Sequence, residues 1–208
     1  MGDANRGYRL AGVSPLLGSV PVREAEWVWH AAYPRPFESD VRAAATAESL
    51  TPELLYAVMR QESAFDPRVV SYADAIGLMQ LLPETARRYA ELRGGSFGRE
   101  MLYQPSHNVR LGAAYMHALR DEVGVPLCFA AYNAGEHRVR EWLVRARRDG
   151  GAEGLELDRF VENIPFEQTR NYIRRVTASY AHYLYLNNPE AGWPVLDLPA
   201  RVDAEIVP

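Results

Sequence analysis

From Thr51 to Thr85 the chain reads TPELLYAVMRQESAFDPRVVSYADAIGLMQLLPET, and it sets a carboxylate where a helix should bury an apolar group. The helix start is well marked. Thr51 suits the capping position, Pro52 the first helical position, and Glu53 the positive helix end. At about 100° per residue, Leu55, Val58, Met59 and Glu62 fall in an arc roughly 100° wide, a core-facing stripe. Glu62 lies near the middle of that arc, and Pro67 ends the helix nearby. Burial disfavours the charged form, which keeps a carboxyl protonated near neutral pH and fits it for general acid work. On periodicity alone a structural reading outweighs this one: buried arginines or backbone amides also neutralise such a group, and ion-pair networks perturb pKa as well.

The segment after the helix shifts that balance. Ser71, Tyr72, Asp74, Gly77, Met79 and Gln80 form a polar, glycine-containing loop that leads into the apolar Leu81, Leu82 and Pro83. Such a loop can set hydroxyl and amide groups beside the carboxyl. No second carboxylate in this stretch is obviously paired with Glu62: Asp66 lies beside Pro67 and Asp74 in the loop, and Glu162, after Phe160-Val161, is the best distant candidate.

Elsewhere helical patterns dominate. Helices are expected over Arg23 to Ala32 with Trp27 and Ala31 on one side, Ser39 to Glu48, Pro83 to Leu92, and Pro105 to Val123. Pro126 to Ala134 is apolar and stops at Gly135. A short helix carrying Val139, Trp142, Leu143 and Ala146 comes next, then a flexible loop from Arg148 to Gly154. Phe166 to Leu186 forms a long helix whose tyrosines, Tyr172 among them, exceed what a core needs and suit a sugar-lined groove. Residues 1–20 read as irregular and the proline-rich tail as extended. No repeat and no clear alternating strand pattern occurs, so the domain is expected to be mainly α, with at most a small β-hairpin.

The 208 residues suffice for one packed domain, and a net charge of −4 argues against nucleic acid as the main partner. Cys128, the single cysteine, excludes an internal disulfide and sits in an apolar run as a small hydrophobe. No apolar run is long enough to span a membrane, and the first residues lack the pattern of a signal peptide. His30, His107, His117, His137 and His182 show no ligand spacing, so neither a metal nor a cofactor is expected.

Three blocks carry a family resemblance. Arg60 to Pro67 (RQESAFDP) with Ser71 and Ala75 to Gln80 (AIGLMQ) resembles the signature of the soluble lytic transglycosylases, glycoside hydrolase family 23. Ala130 to Gly135 (AAYNAG), with Arg138, Val139 and Trp142, resembles the family's second motif. Phe160 to Tyr172 (FVENIPFEQTRNY) resembles its third. Three ordered motifs are far more specific than any single one. The resemblance implies a goose-type lysozyme-like helical domain with a substrate groove. It would occupy residues 33–188, after an N-terminal extension or helical stub (1–32) and before a tail (189–208). It implies cleavage of peptidoglycan glycan strands between N-acetylmuramic acid and N-acetylglucosamine without water. Glu62 would act as acid and then base, the substrate's N-acetyl group would assist, and a 1,6-anhydro ring would form. Ser71, Met79, Gln80, Tyr132, Asn133, Glu162 and Tyr172 take substrate-binding or supporting places by motif position. For Met79 core packing weighs equally; for Ser71 and Gln80 loop capping is the plain alternative, and for Tyr132 and Asn133 helix-end packing. A periplasmic or envelope location follows from that substrate.

Three departures stand out. Asp74 occupies a position where the family often has Gly, Leu82 one where many members carry Met, and Glu136-His137 replaces the common Pro-Gly. Two rivals remain: a lysozyme-like hydrolase on the same fold, and a non-catalytic peptidoglycan-binding scaffold.

Overall fold

Prolines mark three of the helix starts. In a computed structural model describing Tyr8, residues 26–150 and residues 154–202, helices begin at Pro52, Pro83 and Pro105. A proline at the first helical position gives up an amide that has no intrahelical partner there. The helices are α1 (Glu26–Ala32), α2 (Glu38–Ala47), α3 (Pro52–Glu62), α4 (Pro83–Leu92), α5 (Pro105–Val123), α6 (Leu127–Ala134), α7 (Glu136–Gly150), α8 (Leu157–Glu162) and α9 (Glu167–Asn187). Short 3-10 turns cover Arg99–Tyr103 and Pro189–Ala191. The protein is mainly helical, as expected.

The strands correct one detail. β1 (Leu155–Glu156) pairs antiparallel with β2 (Arg201–Val202), Leu155 opposite Val202 and Glu156 opposite Arg201. They belong to segments far apart in sequence, so this is not a hairpin. The tail instead supplies one strand, with Val202 buried.

The chain divides into two compact units. The first comprises the described parts of Met1–Tyr115 with Ser179–Trp193, and the second those of Met116–Ala178 with Pro194–Pro208. α1 thus belongs to the first unit. Its buried face is Val28, Trp29 and Ala32, while Trp27 is 70% exposed, which reverses the expected face. The reason is aromatic packing: Trp29 and Tyr33 stack on His182 in the last turns of α9, with centroids 5.0 and 4.9 Å away. The expected helix start at Arg23 and the irregular segment over residues 1–20 lie outside the described residues, Tyr8 excepted.

In the second unit, Gly135 alone joins α6 to α7, with φ +92°, a conformation that favours glycine. Glu136 then opens α7 directly. α7 buries Val139, Trp142, Leu143 and Ala146 as expected, but it runs on to Gly150, so Arg148 to Gly150 are helical and not a loop. Cys128 is buried, and burial pushes its thiol up to about 12. Among the described residues, no helix is long and apolar enough to cross a membrane.

Candidate active site

Glu62 is the last residue of α3, half-buried, at the end of a helix that is buried on nearly every side from Glu53 to Met59. That helix is fixed at both ends. Near its start, Glu53 accepts from Arg35 at 3.0 Å, and Arg35 also donates to the Tyr183 carbonyl at 3.0 Å. Thr51, expected as a cap, makes no capping bond and reaches the Tyr180 hydroxyl at 3.2 Å. Near its end, Arg60 donates to the Ala32 carbonyl (3.1 Å) and to Ser179 Oγ (3.2 Å), and its guanidinium lies 4.3 Å from the Tyr33 ring centre. A flat, permanently charged group held by two acceptors and an aromatic face is a rigid anchor. It sits two residues before Glu62.

Ser63, which the sequence did not single out, ties this helix end to the polar loop. Its buried hydroxyl is shared between the Met59 carbonyl (3.1 Å) and the Leu78 carbonyl (2.8 Å), and accepts from the Phe65 amide (3.1 Å). Ala64 and Phe65 then take positive φ, +48° and +67°. Non-glycine residues rarely adopt this region, and two in succession turn the chain sharply away from α3.

The loop after this turn is held mostly by its own backbone and by one buried amide. Ile76 forms single bridges with Val70 and Leu81. Ser71 Oγ accepts from the Ala75 amide at 3.0 Å, and Gln80 Nε2 donates to the carbonyls of Val69 and Gly77, both at 3.0 Å. These are loop-closing bonds. They leave the Ser71 hydroxyl proton and the Gln80 Oε1 for other use. Met79 is fully buried, and a Cβ added at Gly112 would stand 2.3 Å from its sulfur. Core packing therefore accounts for the Met79 side chain as it is placed here.

Asn108 organises the loop, and sequence reasoning missed it. This fully buried side chain accepts from the Met79 amide (2.8 Å) and donates to the carbonyls of Ile76 (2.8 Å) and Leu102 (2.9 Å). Gly77, at φ +78°, lets it approach: a Cβ there would meet Leu102 O at 2.3 Å and Asn108 Nδ2 at 2.5 Å. The available signal was weak: an asparagine at helical spacing from Leu111 and Gly112 on α5. Asp74 adopts φ +68°, the left-handed backbone its glycine-like position requires, and both its carboxylate oxygens accept from Arg99. The hydrogen-bonded guanidinium holds the Asp74 carboxyl below its usual range. Leu82, at the capping position of α4, is 44% exposed.

In the second unit, Tyr132 and Asn133 are half-buried in the last turn of α6. Asn133 Oδ1 accepts from the buried Thr169 hydroxyl at 2.9 Å, which joins the second motif to the third. A cleft of about 400 Å³ opens here, bounded by Asn133, Ala134 and Arg138 on one side and Pro165 to Thr169 on the other. Tyr172 is buried, only 3% exposed. Glu162 is exposed and ion-paired with Arg174, so its carboxylate already has a cationic partner. No cluster of three or more potential metal ligands occurs among the described residues.

Comparison with known proteins agrees with the motifs. The family model of the transglycosylase SLT domain matches residues 39–153, more than half of the chain. The soluble lytic murein transglycosylase of Escherichia coli K12 is 39% identical over 134 residues, covering 62% of this chain and 20% of that protein. The crystal structure of the 70 kDa soluble lytic transglycosylase of Escherichia coli superposes with a TM-score of 0.71 at 27% identity, over 89% of this chain and 30% of that one. An inactive glutamate-to-glutamine variant of the lytic transglycosylase Slt from Pseudomonas aeruginosa gives 0.72 at 29% identity, over 96% and 32%. The matched region spans about a fifth to a quarter of the length of the soluble lytic murein transglycosylases of Escherichia coli and Haemophilus influenzae.

Proposed function

Because the chain belongs to the transglycosylase SLT domain family, we propose that it cleaves peptidoglycan glycan strands by lytic transglycosylation, with Glu62 as the reacting group. The observation that carries this is the placement of Glu62: half-buried, on the last residue of a helix anchored at both ends, and adjoining a tightly bonded polar loop. A helix C-terminus disfavours negative charge, and partial burial acts in the same direction. Both favour the protonated carboxyl that a general acid needs before reaction.

In the first step Glu62 gives its proton to the glycosidic oxygen, the bond from the muramoyl C1 to that oxygen breaks, and N-acetylglucosamine leaves as an alcohol. The substrate's own N-acetyl oxygen stabilises C1, the substrate-assisted course that dispenses with a second carboxylate. The Glu62 carboxylate then takes the proton from the C6 hydroxyl of the muramoyl sugar, whose oxygen closes on C1. The enzyme is returned protonated, and no water is consumed. The hydroxyl belongs to the same molecule as C1, so its effective concentration is high. Ser71 and Gln80 offer the hydroxyl proton and amide oxygen that their loop bonds leave over. Tyr132 and Asn133 contribute sugar contacts. Tyr172, being buried, is a positioning residue, and Glu162 takes a supporting place in the third motif, held by its pairing with Arg174. Such a substrate sets the protein's work in the cell envelope.

Digestion of purified sacculi with mass analysis of the muropeptides tests this reading. Products one water lighter than hydrolysed muropeptides, with no reducing ends, are expected. Reducing ends would assign a lysozyme-like hydrolase, and absence of turnover with retained binding would assign a scaffold.

A further inference from the structure

Tyr8 lies well before residue 39, where the match to the transglycosylase SLT domain begins, yet its side chain meets the end of α3 on which Glu62 stands. The Arg60 guanidinium is 4.8 Å from the centre of the Tyr8 ring and 4.3 Å from that of Tyr33. Tyr8 also meets Phe65 edge to face, with ring centres 6.1 Å apart and planes at 90°. Arg60 precedes Glu62 by two residues and Phe65 follows it by three, so one ring touches the chain on both sides of the reacting group.

The two contacts hold different things. Arg60 is already tied to the Ala32 carbonyl and to Ser179 Oγ, and a second ring adds attraction for a half-buried cation. Phe65 is 2% exposed at φ +67°, the second of two residues in left-handed backbone. Such a conformation persists only where its surroundings over-determine it. Ser63 Oγ accepts from the Phe65 amide, and the Asp66 amide donates to the Ser63 carbonyl at 3.0 Å. Tyr8 adds a side-chain link, directional in its edge-to-face geometry, between the anchored helix end and the turn that follows it. We propose that Tyr8 is a positioning residue: by closing on Arg60 and Phe65 together it fixes the turn at Glu62, and so the place from which that carboxyl meets the glycosidic oxygen. The assignment rests on Glu62 as the reacting group, and Tyr8 acts through its two neighbours. A misplacement of about 1 Å can cost about a hundredfold in rate, so a small relaxation of this turn is visible in kcat.

The test compares the full chain with its Tyr8→Leu and Tyr8→Phe variants on purified glycan strands. Tyr8→Leu keeps an apolar side chain and removes the ring face; its kcat should fall about tenfold while KM stays within about twofold. Tyr8→Phe keeps the ring and should recover at least about half of the wild-type kcat. An unchanged kcat in Tyr8→Leu, a loss carried by KM, or an equal loss in Tyr8→Phe overturns the proposal. Native-state hydrogen exchange reads the same contacts without turnover. In Tyr8→Leu the Phe65 and Asp66 amides should exchange about tenfold faster, while those of Leu55 to Met59 keep their wild-type rates. No change at Phe65 and Asp66 overturns the proposal, and so does equal acceleration throughout α3, because Tyr8 would then only stabilise the unit as a whole. If wild type cleaves no strand, the reading of Glu62 fails, while the exchange comparison still decides whether Tyr8 holds the turn.

Discussion

Replacing Asn108 by alanine should be among the most damaging single substitutions in the first unit. The side chain is fully buried and closes three hydrogen bonds, from Met79 N–H and to the carbonyls of Ile76 and Leu102. Alanine leaves the Met79 amide and the Leu102 carbonyl without this partner, each costing about 1–3 kcal/mol when left unsatisfied, while the Ile76 carbonyl keeps the Leu81 amide at 3.1 Å. The space vacated can admit a water that recovers part of this. A net loss of about 2–4 kcal/mol results, a large share of the roughly 5–15 kcal/mol that holds a typical domain together. Urea unfolding reads the loss as a lower midpoint at unchanged slope, and hydrogen exchange at the Met79 amide reports whether the loop has opened. Asn108→Asp sharpens the test. Its carboxyl would face two carbonyls in a dry site, which raises its folded-state pKa above the unfolded value of about 3.9. Stability of that variant is then fully present below about pH 4 and is lost as pH rises through the folded value. A loss under about 1 kcal/mol in Asn108→Ala, with the Met79 amide still protected, would refute the view that this amide organises the loop.

The Asp74–Arg99 pair predicts a different pH response. Its carboxyl is lowered below the usual value of 3.8 by the hydrogen bonds from Arg99, so the pair's contribution is present above 3.8 and disappears as pH falls through the folded value. The Tm difference between wild type and Arg99→Gln should therefore shrink on acidification below pH 3.8, and a difference that grows there would contradict the pairing. Gly112→Ala places a Cβ 2.3 Å from the Met79 sulfur and should cost about 1–3 kcal/mol in thermal denaturation. Combined with Met79→Ala, the loss should be less than additive, since the clash is removed; simple additivity would show that the two residues do not meet.

Much of the helical framework was legible because prolines and glycines act locally. Pro52, Pro83, Pro105 and Gly135 set helix ends where the structure has them, and the apolar spacing of α5 and α7 marks the buried faces. Glu62 was legible for a related reason, as a carboxylate on an apolar arc at a helix end. The features that escaped depend on partners distant in sequence. Trp29 is buried, and not Trp27, because His182 supplies its stacking surface. Leu155 becomes a strand residue only because Val202 returns to pair with it. Asn108 and Ser63 resemble ordinary helix polar residues until their carbonyl partners in the 76–78 stretch and at Leu102 are known. The pairing of Glu162 with Arg174 on α9 likewise joins residues twelve apart that no local pattern connects.

The most direct test of the account is Glu62→Gln, which keeps the shape and removes the proton that the reaction needs. Release of soluble fragments from sacculi should become undetectable while co-sedimentation with the same sacculi stays within about twofold of wild type. A glutamine variant that still releases anhydro fragments at the wild-type rate would contradict the assignment of Glu62 as the acid.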